Sequence, residues 1–437
     1  MKRLIDEALV KWKNSASRKP LILYGARQVG KTYSIMEFGS KYFASIAYFY
    51  FDNNPDLCDL FESGISSIAS LMIKLEAYAN QLISPEATLI VFDEVQVCPA
   101  ALSSLKLFAE TAPEYHVIAA GSLLGVALNR NNASFPVGKV DELRMYPLSF
   151  EEFLFEFNPR LIAPITECYE TNKPLSTALH NSALDSFLQY LVIGGMPEAI
   201  TEYSKSTNYT MVKARQLSIC NNYISDMNKY TETKTQAIRN EAVYNTLPAQ
   251  LAKENRKFQY ARIRSGARAS EYELSLNWLE KAAVVIRCNL VLEGKEPLAN
   301  YEDFLSFKIY MSDVGLYCAK SNNSHLSVLG RTMGDTAKGA LTENYVAQQL
   351  QASGLNFYYW ESKNQAELDF VIQLENKVIP IEVKSWETTR SQSLEVFKKR
   401  YNTETAVRVS AKNFGFENGI KSVPLYAVWC IGKNGRL

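Results

Sequence analysis

The run Gly25-Ala-Arg-Gln-Val-Gly-Lys31-Thr32 constrains this chain more than any other feature, because it matches the pattern G-x-x-x-x-G-K-[ST] of a phosphate-binding loop. Such a loop works at one place in a fold, the turn between a buried strand and the start of a helix. Pro20–Tyr24 reads as the strand and Tyr33–Tyr42 as the helix. Gly25 and Gly30 then let the backbone curl so that its N–H groups face the phosphates at the positive end of the helix dipole. Lys31 is expected to reach the β- and γ-phosphates and Thr32 to ligate Mg²⁺, with Ala26, Arg27, Gln28, Val29 and Tyr33 completing the ATP-contacting set.

Thr88-Leu-Ile-Val-Phe92 is an unbroken apolar run that ends in Asp93-Glu94. A strand buried on both faces in a parallel sheet has this pattern, and its C-terminal end is where an open α/β sheet binds ligands. Asp93 is expected to hold Mg²⁺ and Glu94 to polarise the attacking water. A third apolar strand, His116–Ala120, leads to Gly121-Ser122. Ser122 is a candidate sensor of the γ-phosphate or the water, and the same position suits a helix N-cap.

The length of 437 residues allows two or three domains. A net charge of +1 gives no global attraction to polyanions, so any such binding rests on local patches. The seven cysteines include no CxxC pair, and the three histidines lie in no metal-ligand spacing, which argues against zinc. The N-terminal Met1-Lys-Arg-Leu-Ile-Asp6 shows no apolar region of a signal peptide, and no apolar run approaches the roughly 18 residues of a membrane helix. A cytoplasmic protein without membrane contact is expected.

Beyond the first strands the pattern turns helical, with Asp185–Ile193 at helical spacing and Gly194-Gly195-Met196-Pro197 ending it. From Tyr244 onward, helices that include Leu274–Ala283 precede two strands, Val284–Val291 and Phe307–Met311. Helices followed by a hairpin describe a winged helix. Lys253, Arg256, Lys257, Arg262, Arg264 and Arg268 against one acid, Glu254, give this stretch a local +5. It is either a phosphate grip or a solvated face.

In the last hundred residues an amphipathic helix is read around Leu341–Leu350, followed by strands at Phe357–Trp360, Glu367–Ile372 and Val378–Lys384. The last two form a hairpin turning at Glu375-Asn376-Lys377. Period-two alternation puts Asp369 on the face opposite Leu368 and Phe370, and leaves Glu382 and Lys384 together. Two carboxylates and a lysine that converge can bind Mg²⁺ and activate water against a phosphodiester. This is the arrangement of the PD-(D/E)xK nuclease fold, in which a helix-borne acid, here Glu343, completes the metal set. The alternative is an inactive relative that keeps these residues as salt bridges.

Taken together, the chain resembles prokaryotic AAA-type ATP-binding proteins that carry a C-terminal domain of unknown function with a restriction-endonuclease-like fold. The resemblance rests on Gly25–Thr32, Phe92-Asp93-Glu94, Gly121-Ser122, Tyr146–Phe153, Gly194–Glu198, Tyr310–Leu316 and the Asp369/Glu382/Lys384 set. It implies an α/β chain with four parts. These are a P-loop NTPase parallel-sheet core (1–157), a helical lid (158–235), a winged-helix module (236–325) and a PD-(D/E)xK nuclease-like domain (326–437). It also implies a homo-oligomer, a hexameric ring among the options, whose sites are completed by a neighbour's arginine, Arg130 or Arg144. Two functions fit: an ATP-hydrolysing machine that acts on DNA, branched DNA included, or a nucleotide-dependent switch whose inactive nuclease-like domain recruits a protein.

Overall fold

The computed structural model describes all residues except 63–66, 128–135, 254–255, 363–365, 386–391 and 436. Arg130 lies outside the described residues. The chain packs into two compact units: Lys2–Tyr146 with Lys281–Ala283, and 147–280 with 284–437.

The first unit is built on five parallel strands: β1 (Leu21–Tyr24), β2 (Ser45–Tyr50), β3 (Thr88–Asp93), β4 (His116–Ala120) and β5 (Asp141–Arg144). Their order is β2-β3-β4-β1-β5. Strands β3 and β4 are buried along their whole length, as their apolar runs require, and Phe49, Phe51, Phe92 and Phe108 fill the core on one side of the sheet. Because β1, β4 and β3 are neighbours, the turns that follow them lie side by side at the same sheet edge. That adjacency assembles the site.

In the second unit a helical run, Phe150–Phe157 to Ala269–Lys281, precedes an eight-stranded mixed sheet. Its strands are β6 (Val285–Val291), β7 (Glu302–Met311), β8 (Phe357–Ser362), β9 (Ala366–Leu374), β10 (Lys377–Val383), β11 (Ala406–Ser410), β12 (Gly415–Glu417) and β13 (Ile420–Pro424). The order is β12-β13-β11-β10-β9-β8-β6-β7. The structure differs from the sequence reading in three ways. The helix Phe150–Phe157, read as the end of the ATPase core, packs in this unit, where Phe150 stacks edge-on against Phe187, Tyr190 and Tyr345. The β6–β7 hairpin pairs as expected, but β6 also runs parallel to β8 through Leu290–Tyr359 and Val291–Trp360, so the hairpin belongs to the same sheet as the C-terminal strands.

The third difference concerns the helix Asp335–Ala352. It is buried on every side from Ala340 to Leu350 instead of being amphipathic. Its polar residues close off neighbouring backbone: Asn344 bonds both the N–H and the carbonyl of Met311, Gln348 accepts from Val314, and Gln349 accepts from Phe150. Buried amides satisfied in this way cost little, whereas the same groups unpaired would cost 1–3 kcal/mol each, roughly. Among the described residues no helix is long and apolar enough to cross a membrane.

Candidate functional site

At the end of β1 the loop turns where Gly25 sits at φ 151°, and a Cβ there would lie 2.3 Å from the Met145 carbonyl oxygen. Gly30 caps the helix Lys31–Tyr42 in the left-handed region, at φ 96°. Only glycine takes both positions without strain. The buried Arg3 braces the loop from outside the motif, donating to the carbonyls of Val29 (2.9 Å) and Tyr146 (2.8 Å). Sequence reading missed it, since nothing local marks an arginine with a partner so far along the chain.

Lys31 is buried, and its Nζ donates to the carbonyls of Gly25 and Ala26, each at 2.8 Å. Burial pushes its ammonium down to about 8, against the opposing pull of Glu94 and Asp93. Thr32 Oγ1 donates to Asp93 Oδ2 at 2.7 Å, which brings the two expected Mg²⁺ ligands into contact. Tyr48, on β2, donates to the same oxygen at 2.8 Å, a partner the sequence reading did not find. A hydroxyl and a carboxylate held together are hard oxygen donors of the kind Mg²⁺ takes, so this pair fits the ion.

Glu94 stands just past β3 in the left-handed region, at φ 52°. Its carboxylate accepts from Ser122 Oγ, 3.3 and 3.5 Å from its two oxygens, and from Gln96 Nε2. Gln96 too was missed. Arg27 and Tyr33 are solvent-exposed. Exposed Arg144 lines a cleft of about 500 Å³ together with Tyr24, Gly25, Gly121 and Ser122.

The second constellation is built around Glu343, which is 1% exposed. It accepts from Tyr310 OH (2.5 Å), from Lys308 Nζ (3.2 Å) and from Arg256. Burial works against its ionisation, but Arg256 and Lys308 outweigh that and hold the carboxyl down to about 2. Lys308, fully buried on β7, also pairs with Glu367 at 2.7 Å. Arg256 lies 3.9 Å from Asp369 Oδ1, and Asp369 Oδ2 accepts the Val383 N–H at 2.7 Å. Burial, then the charge of Glu343, pushes the Asp369 carboxyl up to about 7.

β9 and β10 pair antiparallel with Ile381 opposite Phe370, which makes Asp369 and Glu382 the next facing residues, as the alternation had it. Lys384 Nζ binds Glu382 Oε1 at 2.6 Å, and Glu382 Oε2 is buried with no hydrogen-bond partner. The structure therefore gathers Glu343 and Asp369 around one guanidinium instead of an open cation position. Among the described residues no group of three or more His, Cys, Asp or Glu is placed to hold a metal ion. With Arg256 and Lys308 on the Glu343 oxygens, Arg256 beside Asp369 and Lys384 on Glu382, the expected Glu343/Asp369/Glu382 set does not fit a divalent metal in this arrangement.

The basic stretch is also spent internally. Arg256 pairs with Glu343, Lys257 with Glu361, and Arg264 with Glu271. Arg262 and Arg268 are exposed.

Residues 17–154 match the family model of the AAA domain. The first unit is an AAA-type P-loop ATP-binding domain. Residues 184–327 and 338–428 match two domains of unknown function, DUF8612 and DUF4143. No curated protein matches the chain. Among solved structures it is similar to a Walker-type ATPase of Pyrococcus abyssi, at 15% identity over 73% of this chain and 95% of that one, with a TM-score of 0.43. It is also similar to the Aeropyrum pernix ORC2 protein in ADPNP–ADP complexes (11%, 77% and 93%, TM-score 0.37). A third is the Aeropyrum pernix ORC1 protein in complex with DNA (11%, 75% and 92%, TM-score 0.28).

Proposed function

We propose that this chain hydrolyses ATP with Mg²⁺ in its AAA domain and uses the cycle to switch a second unit, of winged-helix and nuclease-like descent, that binds a partner without cutting it. The observation that carries the first half is the meeting of Lys31, Thr32, Asp93, Glu94 and Ser122 at adjacent strand ends. Lys31 and the loop N–H groups hold the phosphates, with Arg27, Gln28, Val29 and Tyr33 around them. Thr32 and Asp93 would hold Mg²⁺, which supplies neutralisation of charge on the β- and γ-oxygens. Glu94 accepts a proton from water as the water oxygen bonds to the γ-phosphorus. The bridging bond breaks, and ADP leaves with its electron pair. Ser122 steadies Glu94. Arg144 lines the same cleft as Ser122, which lets its charge act within one chain, while assembly into a homo-oligomer remains part of this reading.

For the second half, Arg256 and Lys308 support a non-cleaving centre, because they take the Glu343 oxygens and set a cation beside Asp369 where a catalytic metal would need to sit. Asp369, Glu382 and Lys384 are then framework, not catalysts. A second reading, engagement of DNA, is favoured by the exposed Arg262 and Arg268 before the helix Ala269–Lys281. One experiment separates these readings. ATPase rates are measured with and without duplex, single-stranded and branched DNA at low salt, and Mg²⁺-dependent cleavage is read from the same samples. The switch reading expects hydrolysis that Lys31→Ala abolishes, with no cleavage and no DNA stimulation. Stimulation that falls in an Arg262→Ala/Arg268→Ala variant would establish DNA as the partner, and cleavage lost in Asp369→Ala would overturn the non-cleaving centre.

A further inference from the structure

Gln96 lies two residues beyond Glu94, in the short helical turn Val95–Val97, and is 9% exposed. Its Nε2 donates to the Glu94 carboxylate. Its Oε1 is buried with no hydrogen-bond partner. That oxygen fits against the backbone of Gly121, where a Cβ would stand only 2.0 Å from it. The side-chain amide is therefore wedged between the catalytic carboxylate and the turn that presents Ser122. The orientation of the amide follows from charge: turned the other way, its oxygen would face the Glu94 carboxylate.

We infer that Gln96 is a positioning residue of the ATPase centre, acting through Glu94, and that Gly121 is glycine to leave room for it. The inference rests on the proposed role of Glu94 in hydrolysis. Ser122 and Gln96 hold the carboxylate from two sides, and Glu94 itself sits at a left-handed backbone position that lets its side chain turn back toward both. A carboxylate with one donor can swing, and a swinging base meets the water in the right geometry less often. Gln96 touches neither nucleotide nor metal in this scheme. Its loss should lower turnover and leave binding alone.

The test uses the full chain with Mg²⁺ and ATP. Gln96→Ala and Gln96→Met both remove the donor, and the methionine keeps the volume. Gly121→Ala leaves Gln96 intact but pushes its amide aside, together with Leu124, whose Cδ1 would lie 2.6 Å from the new Cβ. The expected result is a kcat lower by roughly tenfold in all three, the scale of one lost hydrogen bond to a charged group. KM and the Kd for a fluorescent ATP analogue should stay within about twofold, since the loop and Lys31 are untouched. The double variant Gln96→Ala/Gly121→Ala should be no slower than the slower single, because both act on one contact. Thermal melting checks that the variants fold.

A Gln96→Met chain with wild-type kcat overturns the inference, as does one that loses nucleotide affinity in step with turnover. Glu94→Gln identifies which claim has failed. If it is inactive while Gln96→Met is normal, the positioning role alone falls. If Glu94→Gln keeps the wild-type rate, the proposed role of Glu94 falls and the inference with it.

Discussion

His116 gives the first unit an acid sensitivity that can be worked out from its surroundings. It occupies the first position of β4, is 4% exposed, and packs edge-on between Trp12 (5.9 Å) and Phe43 (4.9 Å). Its Nδ1 is buried with no partner. Burial, with Arg18 and Lys13 adding to it, pushes the imidazole from its ordinary 6.5 down to about 4. The fold thus holds the neutral ring, while the unfolded chain binds a proton below 6.5. Stability is fully present above that value and falls as pH drops toward 4, since the unfolded state binds more protons throughout the window. The linkage integral gives a loss of about 2 kcal/mol by pH 5 and about 3 by pH 4.

His116→Phe keeps the edge-on packing and removes the titration. Hydrogen exchange over β3 and β4 reads the opening of this unit, and comparing the two proteins at one pH cancels the intrinsic exchange chemistry. Wild type and variant should be nearly equally protected at pH 7, and wild type should lose protection relative to the variant by about 20-fold at pH 5. A ratio that does not change between pH 7 and pH 5 refutes the argument.

Three further outcomes are expected. Asp313→Ala strips the acceptor from the Gly195 and Leu316 N–H groups, bonded at 2.6 and 2.9 Å, and should cost about 3 kcal/mol in urea unfolding of the second unit. Lys308→Met leaves Glu343, Glu367 and Asp369 with Arg256 as their main counter-charge and should destabilise by roughly 3–5 kcal/mol, part of which Lys308→Met/Glu343→Gln recovers. In a chain whose ATP site is disabled by Asp93→Asn, Mn²⁺ titrated calorimetrically should give no heat from the second unit, because Arg256 and Lys308 already neutralise its carboxylates; a saturable site lost in Asp369→Ala would contradict this.

The residues legible in the sequence were those whose role is written into a few consecutive positions. β1, β3 and β4 announced themselves as apolar runs because a parallel strand buried on both faces can be little else; β3 ended at Asp93, and β1 and β4 ran into the turns that begin at Gly25 and Gly121. The β9–β10 hairpin turned where Glu375-Asn376 allowed, so the facing of Asp369 and Glu382 followed from alternation. Roles set by distant partners could not be read this way. Arg256 looked like part of a surface grip for phosphates, yet it is bound by an acid 87 residues further on. Lys308 stood in a strand with no sign that a buried carboxylate awaited it. Tyr48 and Arg3 act on the ATP site from neighbouring elements, and only the order of the strands brings Tyr48 to Asp93.

Three of the blocks that carried the resemblance, Tyr146–Phe153, Gly194–Glu198 and Tyr310–Leu316, supply residues to one buried knot in the second unit. Leu148 N donates to the Gly195 carbonyl at 2.7 Å, Tyr190 OH donates to the Leu148 carbonyl, and Asp313 accepts from Gly195 while Gln348 reaches both Tyr190 and Asp313. Gly194, at φ 74°, and Gly315 approach so closely that a Cβ on either would strike the other's backbone within about 2.7 Å. These residues are tied to one another by buried hydrogen bonds and close backbone approach. Motif strength there measures constructional constraint. The proposed chemistry lies instead in Lys31, Asp93 and Glu94, and the proposed positioning of Glu94 in the Gln96 amide packed against Gly121, a proposition that Gly121→Ala tests without altering any polar group.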